Sequence, residues 1–258
     1  MFTRNPIKVA VMLFAIVTIS FLFSGGRSWA LTTQVTPQDI PIKLLYHGAK
    51  ISIQGQCDAN DDLIVRINTD PAEMHMKFKG KAAGIFWMKI GDISFEHVPA
   101  AYLLYSSGDL ASMLPEDVRV KEGIGFESIK AGAVVESSRE GMDPDRWIDE
   151  FIKFKKSEKL FQVQEGSIAR QNGEYTLDVQ WPYQASPGTY NVEVLAVRDG
   201  SIVDRAESSL TVVRAGIVEK LSALAFNHAA IYGIIAIIVA MVAGFAVGAL
   251  FKKGGGAH

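Results

Sequence analysis

Tyr175-Thr176-Leu177-Asp178-Val179-Gln180-Trp181 alternates apolar and polar side chains, and Pro182 ends the run. Pro187-Gly188 then turns the chain into Thr189-Tyr190-Asn191-Val192, which opens a new apolar stretch through Val194. A period of two puts Tyr175, Leu177, Val179 and Trp181 on one face of a strand and the polar residues on the other, the pattern of a sheet with one covered face.

The same punctuation recurs on either side. Ile51-Ser52-Ile53 alternates, and the β-branched Leu63 to Ile67 follows the turn-like Asp58 to Asp62. Met74, Met76 and Phe78 share one face of a strand, with His75 and Lys77 on the other. Ile85 to Ile90 is apolar almost throughout and reads as a strand covered on both faces; Asp92 to Phe95 and Ala101 to Tyr105 continue the series. After Asp199-Gly200, Ile202 to Val213 closes it. The middle is different: Asp109 to Met113 and Asp143 to Lys159 read as helical. In the second, Asp143 caps, Pro144 takes the first helical position, and Trp147, Ile148, Phe151 and Ile152 fall on one face.

Pro187-Gly188-Thr189-Tyr190-Asn191-Val192 resembles the start of the sixth strand of immunoglobulin-like sandwiches, where a corner tyrosine precedes a core residue by two positions. Val192 takes the place that cysteine holds in antibody domains. The expected fold is therefore mainly β. It comprises an immunoglobulin-like β-sandwich over residues 31–214, with a helical insertion at about 106–163, and one C-terminal transmembrane helix.

The two ends supply the address. Ala229 to Phe251 is 23 residues without a charge, about 34 Å as a helix against a hydrocarbon core of about 30 Å. Residues 215–228, with Ile217, Val218, Leu221, Leu224 and Phe226, form an apolar juxtamembrane helix. Residues 252–258 form a short tail opening with Lys252-Lys253, which the positive-inside rule places in the cytoplasm. Arg4 and Lys8, the run from Val9 to Phe23, and Ser28-Trp29-Ala30 follow the three-part pattern of a signal peptide over residues 1–30. The expected location is the bacterial inner membrane, crossed once, with the large domain in the periplasm.

All 28 acidic residues lie between 31 and 228, with 21 of the 26 basic ones, so that region carries a net charge of −7. An acidic domain without a basic cluster argues against a nucleic-acid partner. Cys57 stands alone, which excludes an internal disulfide and suits a small buried apolar side chain.

Chemistry-bearing patterns are sparse. No G-x-S-x-G elbow, H-E-x-x-H helix or Walker loop is present, and no catalytic residue or cofactor site is expected. Gly123-Ile124-Gly125 reads as a turn. Asp58, Asp61 and Asp62 lack the spacing of a calcium loop and read as a solvated turn. Met74-His75-Met76 offers thioether and imidazole groups that suit cuprous copper, although strand alternation sets His75 opposite the methionines. Ala236, Ala240, Gly244 and Gly248, four apart, form a small-residue ridge that would let two membrane helices approach closely.

Several stretches together resemble a family of uncharacterised bacterial transmembrane proteins of about this length, known mainly from alphaproteobacteria. They are His47-Gly48-Ala49, Gly84-Ile85-Phe86-Trp87-Met88, Val98-Pro99-Ala100-Ala101-Tyr102, Pro187-Gly188-Thr189-Tyr190, Arg198-Asp199-Gly200 and Tyr232-Gly233. The resemblance implies an outward domain on one C-terminal helix. It also implies gene neighbours that are often TauE/SafE-like sulfite-exporter permeases. The expectation that follows is a membrane-anchored periplasmic accessory protein without enzymatic activity. Its partners would be the bilayer and a membrane permease or a second copy. The alternative expectation is an exported ligand- or copper-binding module.

Overall fold

The computed structural model describes residues 30–82, 86–137 and 143–252. Residues 1–29, with most of the expected signal segment, and the tail beyond Lys252 lie outside the described residues, as do Gly84 and Ile85. Among the described residues the strands form three sheets. The first has the order β1 (Gln34–Thr36), β3 (Ala49–Gln56), β11 (Glu174–Trp181), β10 (Ala169–Gln171). The second has six strands: β2 (Asp39–Ile42), β13 (Ser201–Arg214), β12 (Gly188–Arg198), β4 (Asp62–Asn68), β7 (Tyr102–Ser106) and β9 (Phe161–Gln164). The third joins β5 (Ala72–Ala82), β6 (Phe86–Val98) and β8 (Val134–Ser137).

The alternation of β11 is realised residue by residue. Tyr175, Leu177, Val179 and Trp181 are buried, while Glu174, Thr176, Asp178 and Gln180 are exposed. These four meet Ile51 and Ile53 of β3, and from the second sheet Leu63, Val65, Ile67, Leu103, Val192, Val194 and Leu210, in one core. Tyr190 stands at the corner after Pro187-Gly188, and Val192 lies two residues on in that core. Cys57 belongs to the same core and is fully buried.

The six-stranded sheet is covered on both faces, which the expected two-sheet arrangement did not contain. Ile64, Tyr102, Leu104, Leu195 and Val197 point away from the first core into a second one. That core is closed by Ile93, Phe95 and Val98 of β6, by helices α1 (Leu110–Met113), α2 (Glu116–Lys121) and α3 (Phe126–Gly132), and by α4 (Pro144–Ser157). Aromatic rings stitch its layers together. Phe95 stacks on Phe151 at 4.6 Å, Phe151 meets Phe161 edge-on at 5.8 Å, and Phe161 meets Tyr102 at 6.2 Å. Each such pair is worth about 0.5–1.5 kcal/mol beyond its buried area.

Two expectations change here. The segment from 106 to 163 carries the four helices, but also β8 in the third sheet and β9, which runs parallel to β7. Coverage on both faces belongs to β4, β7 and β12. The apolar run after Ile85 instead ends a hairpin, where Phe86 and Met88 are exposed. An apolar run marks low water affinity, and the face of this one that carries Phe86 and Met88 is left uncovered.

Helix α4 begins as its sequence dictates: the Asp143 carboxylate accepts from the Asp145 amide at 3.1 Å, and Pro144 follows. Ile148, Phe151 and Ile152 are buried. After β13 the chain turns at Gly216, whose φ of +67° favours glycine, into α5 (Ile217–Asn227) and then α6 (Ala229–Lys252).

Candidate functional site

Arg66 on β4 and Glu193 on β12 are register partners on the second-core face of the central sheet. Arg66 donates through Nη2 to Glu193 Oε2. Its Nη1 donates to the carbonyl oxygens of Glu122 at 2.5 Å and Gly123 at 3.0 Å. Arg205 on β13 donates through Nη1 to Glu193 Oε1 at 3.1 Å, and through Nη2 to Glu122 Oε2. The Tyr102 hydroxyl donates to the Gly123 carbonyl and accepts from the Gly125 amide, each at 2.8 Å. The Gly123-Ile124-Gly125 segment is thus the turn expected, and it is clamped to the sheet from both sides.

The electrostatics follow from this geometry. Arg205 holds the Glu122 carboxyl below its usual range, and Glu122 in turn raises the Arg205 guanidinium. Burial pushes the Tyr102 phenol up to about 12, so it stays neutral. Two cations and two carboxylates pair with one another, and a cleft of about 320 Å³ opens beside them, lined by Arg66, Asn68, Asn191, Glu193 and Glu207. Chemically the cluster is a staple between the helical segment and the sheet; its charged groups are already committed to each other.

A second clamp overturns the solvated-turn reading at Asp61, while the Asp62 side chain stays 45% exposed. Asp61 is buried, and its Oδ1 accepts from Arg198 Nε at 2.7 Å and Nη2 at 2.6 Å. Arg170 donates to the Asp61 carbonyl and, at 3.1 Å, to Asp62 Oδ1. Two arginines more than a hundred residues away replace the expected water. Lys155, on the buried side of α4, completes the set of hidden charges: its Nζ donates to the Ala100 carbonyl at 3.0 Å, and burial lowers its pKa. Sequence distance concealed all of these groups, since none has a charged partner within its own element.

The residues singled out from sequence stay apart. Met74 and Met76 pack partly buried against the second core, whereas exposed His75 lies on the opposite face of β5, 3.4 Å from Glu73. Strand alternation thus parts them as it should, and the three side chains do not converge. On α6, Ala236, Ala240, Gly244 and Gly248 are exposed, and a Cβ added at either glycine would meet nothing within 4 Å.

What the domain offers outward is apolar surface. Leu44 and Leu45, after β2, are 72% and 82% exposed, and Phe86 at the hairpin end is 71% exposed. Helix α6 holds one segment long and apolar enough to cross a membrane, Ala229–Ala249, none of it buried.

These features define a class: a mainly β, multi-sheet domain with, among the described residues, one exposed apolar helix of membrane-spanning length. The chain belongs to the family described as "Putative transmembrane protein (Alph_Pro_TM)", whose model matches residues 30–253. No curated protein and no solved structure gives a significant match.

Proposed function

We propose that this chain is a membrane-anchored accessory protein of the bacterial inner membrane that acts by holding its β-rich domain on the periplasmic side, against a membrane partner. The reading includes a cleaved signal peptide at residues 1–30, no enzymatic role, and a TauE/SafE-like permease as the partner. The observation that carries it is the bare apolar helix. Its small-residue ridge of Ala236, Ala240, Gly244 and Gly248 is exposed among the described residues, although such ridges favour close helix packing. The exposed Phe86 and Met88 give the domain a second apolar contact surface.

The test is purification of the tagged full-length protein in mild detergent with mass spectrometry of what accompanies it. A permease in stoichiometric amount, lost on Gly244→Leu/Gly248→Leu, supports the proposal. A protein that emerges alone, with copper or a small ligand bound, supports the exported binding module instead.

A further inference from the structure

The carbonyl of Ile42, the last residue of β2, accepts a 3.0 Å hydrogen bond from the amide of Ala215, one residue after the end of β13. β2 runs parallel to β13, with Ile42 opposite Arg214, so both strands finish at the same end of the sheet. From there β13 continues through Gly216 into α5 and the apolar α6, while β2 continues into Lys43-Leu44-Leu45-Tyr46. Leu45 is three residues past Ile42 and so lies within about 11 Å of it even if fully extended. The two most exposed leucines of the domain therefore stand beside the point where the chain departs for the membrane.

Their exposure is imposed by the loop. Tyr46 packs against the first core. Gly48 passes so close to β11 that an added Cβ would stand 2.6 Å from the Trp181 carbonyl oxygen. With both ends of the loop held inward, Leu44 and Leu45 point out. Tyr183, 60% exposed, follows two residues after Trp181, the strand end that Gly48 packs against, and Lys43 and Arg214 are exposed where β2 and β13 finish together.

We propose that Leu44, Leu45 and Tyr183 form a lipid-contacting rim that inserts into the headgroup interface of the bilayer holding α6; this rests on α6 being the membrane anchor. The occupant is lipid because the rim is continuous, through the Ile42–Ala215 bond, with the segment that enters the membrane. Burying a leucine side chain is favourable by about 1.5–3 kcal/mol, and this tether keeps the rim permanently within reach of the apolar phase. Tyrosine suits the headgroup level, and lysine and arginine can bury their stems while their charges reach phosphate. The rim reaches the interface only if α5 lies along it; an upright α5 of 11 residues would lift the domain by about 16 Å. Leu221 and Phe226, exposed on α5, suit that lying position.

The test uses the full-length protein reconstituted in phosphatidylcholine/phosphatidylglycerol vesicles, with nitroxide labels at Leu45→Cys, Ile238→Cys and Asn172→Cys. Asn172 is in the turn at the other end of β11 from Trp181, and wild-type protein with buried Cys57 is the labelling blank. The expected result is a ratio of oxygen to nickel-chelate collision at position 45 several-fold above that at 172 and below that at 238, which lies near the middle of the span. An aqueous ratio at 45 with a lipid ratio at 238 overturns the rim alone. An aqueous ratio at 238 overturns the anchor on which it rests. Protection of position 45 from both reagents also overturns the rim, because a protein surface then covers it.

Discussion

The ring of Tyr190 stands edge-on to the indole of Trp181, with centroids 4.7 Å apart and planes at 88°, and its hydroxyl donates 2.7 Å to the Ser186 carbonyl. One side chain thus fixes the turn before β12 and fills the core behind it. Tyr190→Phe keeps the ring and removes the bond, so it should cost about 1–2 kcal/mol. Tyr190→Ala also opens a cavity and should cost about 3–5 kcal/mol. Urea unfolding followed by tryptophan fluorescence checks both; equal losses would mean the hydroxyl carries the whole effect.

Glu193 answers two arginines, and its side chain is only 12% exposed. Glu193→Ala leaves Arg66 buried without its carboxylate and should destabilise by about 3–5 kcal/mol. Arg66→Met/Glu193→Leu removes both charges and should recover much of that loss. Acid acts on the same staple. The Glu122 carboxyl titrates below its unfolded value, so its stabilising contribution is present at neutral pH and is lost as pH falls through the lowered pKa. Thermal unfolding from neutral pH down through the carboxylate range should show a shallower decline in Glu122→Gln than in wild type.

Gly55 lies where two backbones nearly touch. A Cβ added there would sit 1.9 Å from the Thr32 carbonyl oxygen and 2.7 Å from its carbon. Gly55→Ala must push the segment around Thr32 off β3, breaking its 3.0 Å bond to the Gln56 carbonyl. The expected loss is at least about 2 kcal/mol, together with faster proteolysis near residue 32. Unchanged cleavage would show that the segment yields without detaching.

Lys155 makes alkaline pH a stabilising condition. Burial sets its folded pKa below the unfolded 10.5, so the unfolded chain binds the proton more readily between the two values. Stability contributed through this group therefore rises with pH across that window. The melting temperature of wild type, compared with Lys155→Met, should climb as pH rises through the window just below 10.5. Parallel curves would contradict the buried charge.

Much of the architecture was legible in particular residues. The Tyr175–Trp181 alternation, the Pro187-Gly188 turn, the Asp143-Pro144 helix start and the uncharged run after Ala229 all appear where the pattern places them, because each depends on local geometry or on a period set by its own backbone. The candidate site was far less legible. Arg66, Glu122, Glu193 and Arg205 show no motif, and Asp61 looked like one more acid in a polar turn until Arg198 and Arg170 arrived from distant strands.

Composition and periodicity alone determined that this protein is mainly β, that its helices lie in the middle and at the end, and that its last helix is suited to hydrocarbon. Only the tertiary structure decided that the central sheet is covered on both faces. It also turned the apolar stretch at Phe86 outward and brought Ile42 to Ala215, which sets two bare leucines beside the membrane segment. The reason is physical. A side chain's preference for water or oil, and a strand's period of two, belong to a residue and its near neighbours, whereas what covers a face depends on strands joined across more than a hundred residues.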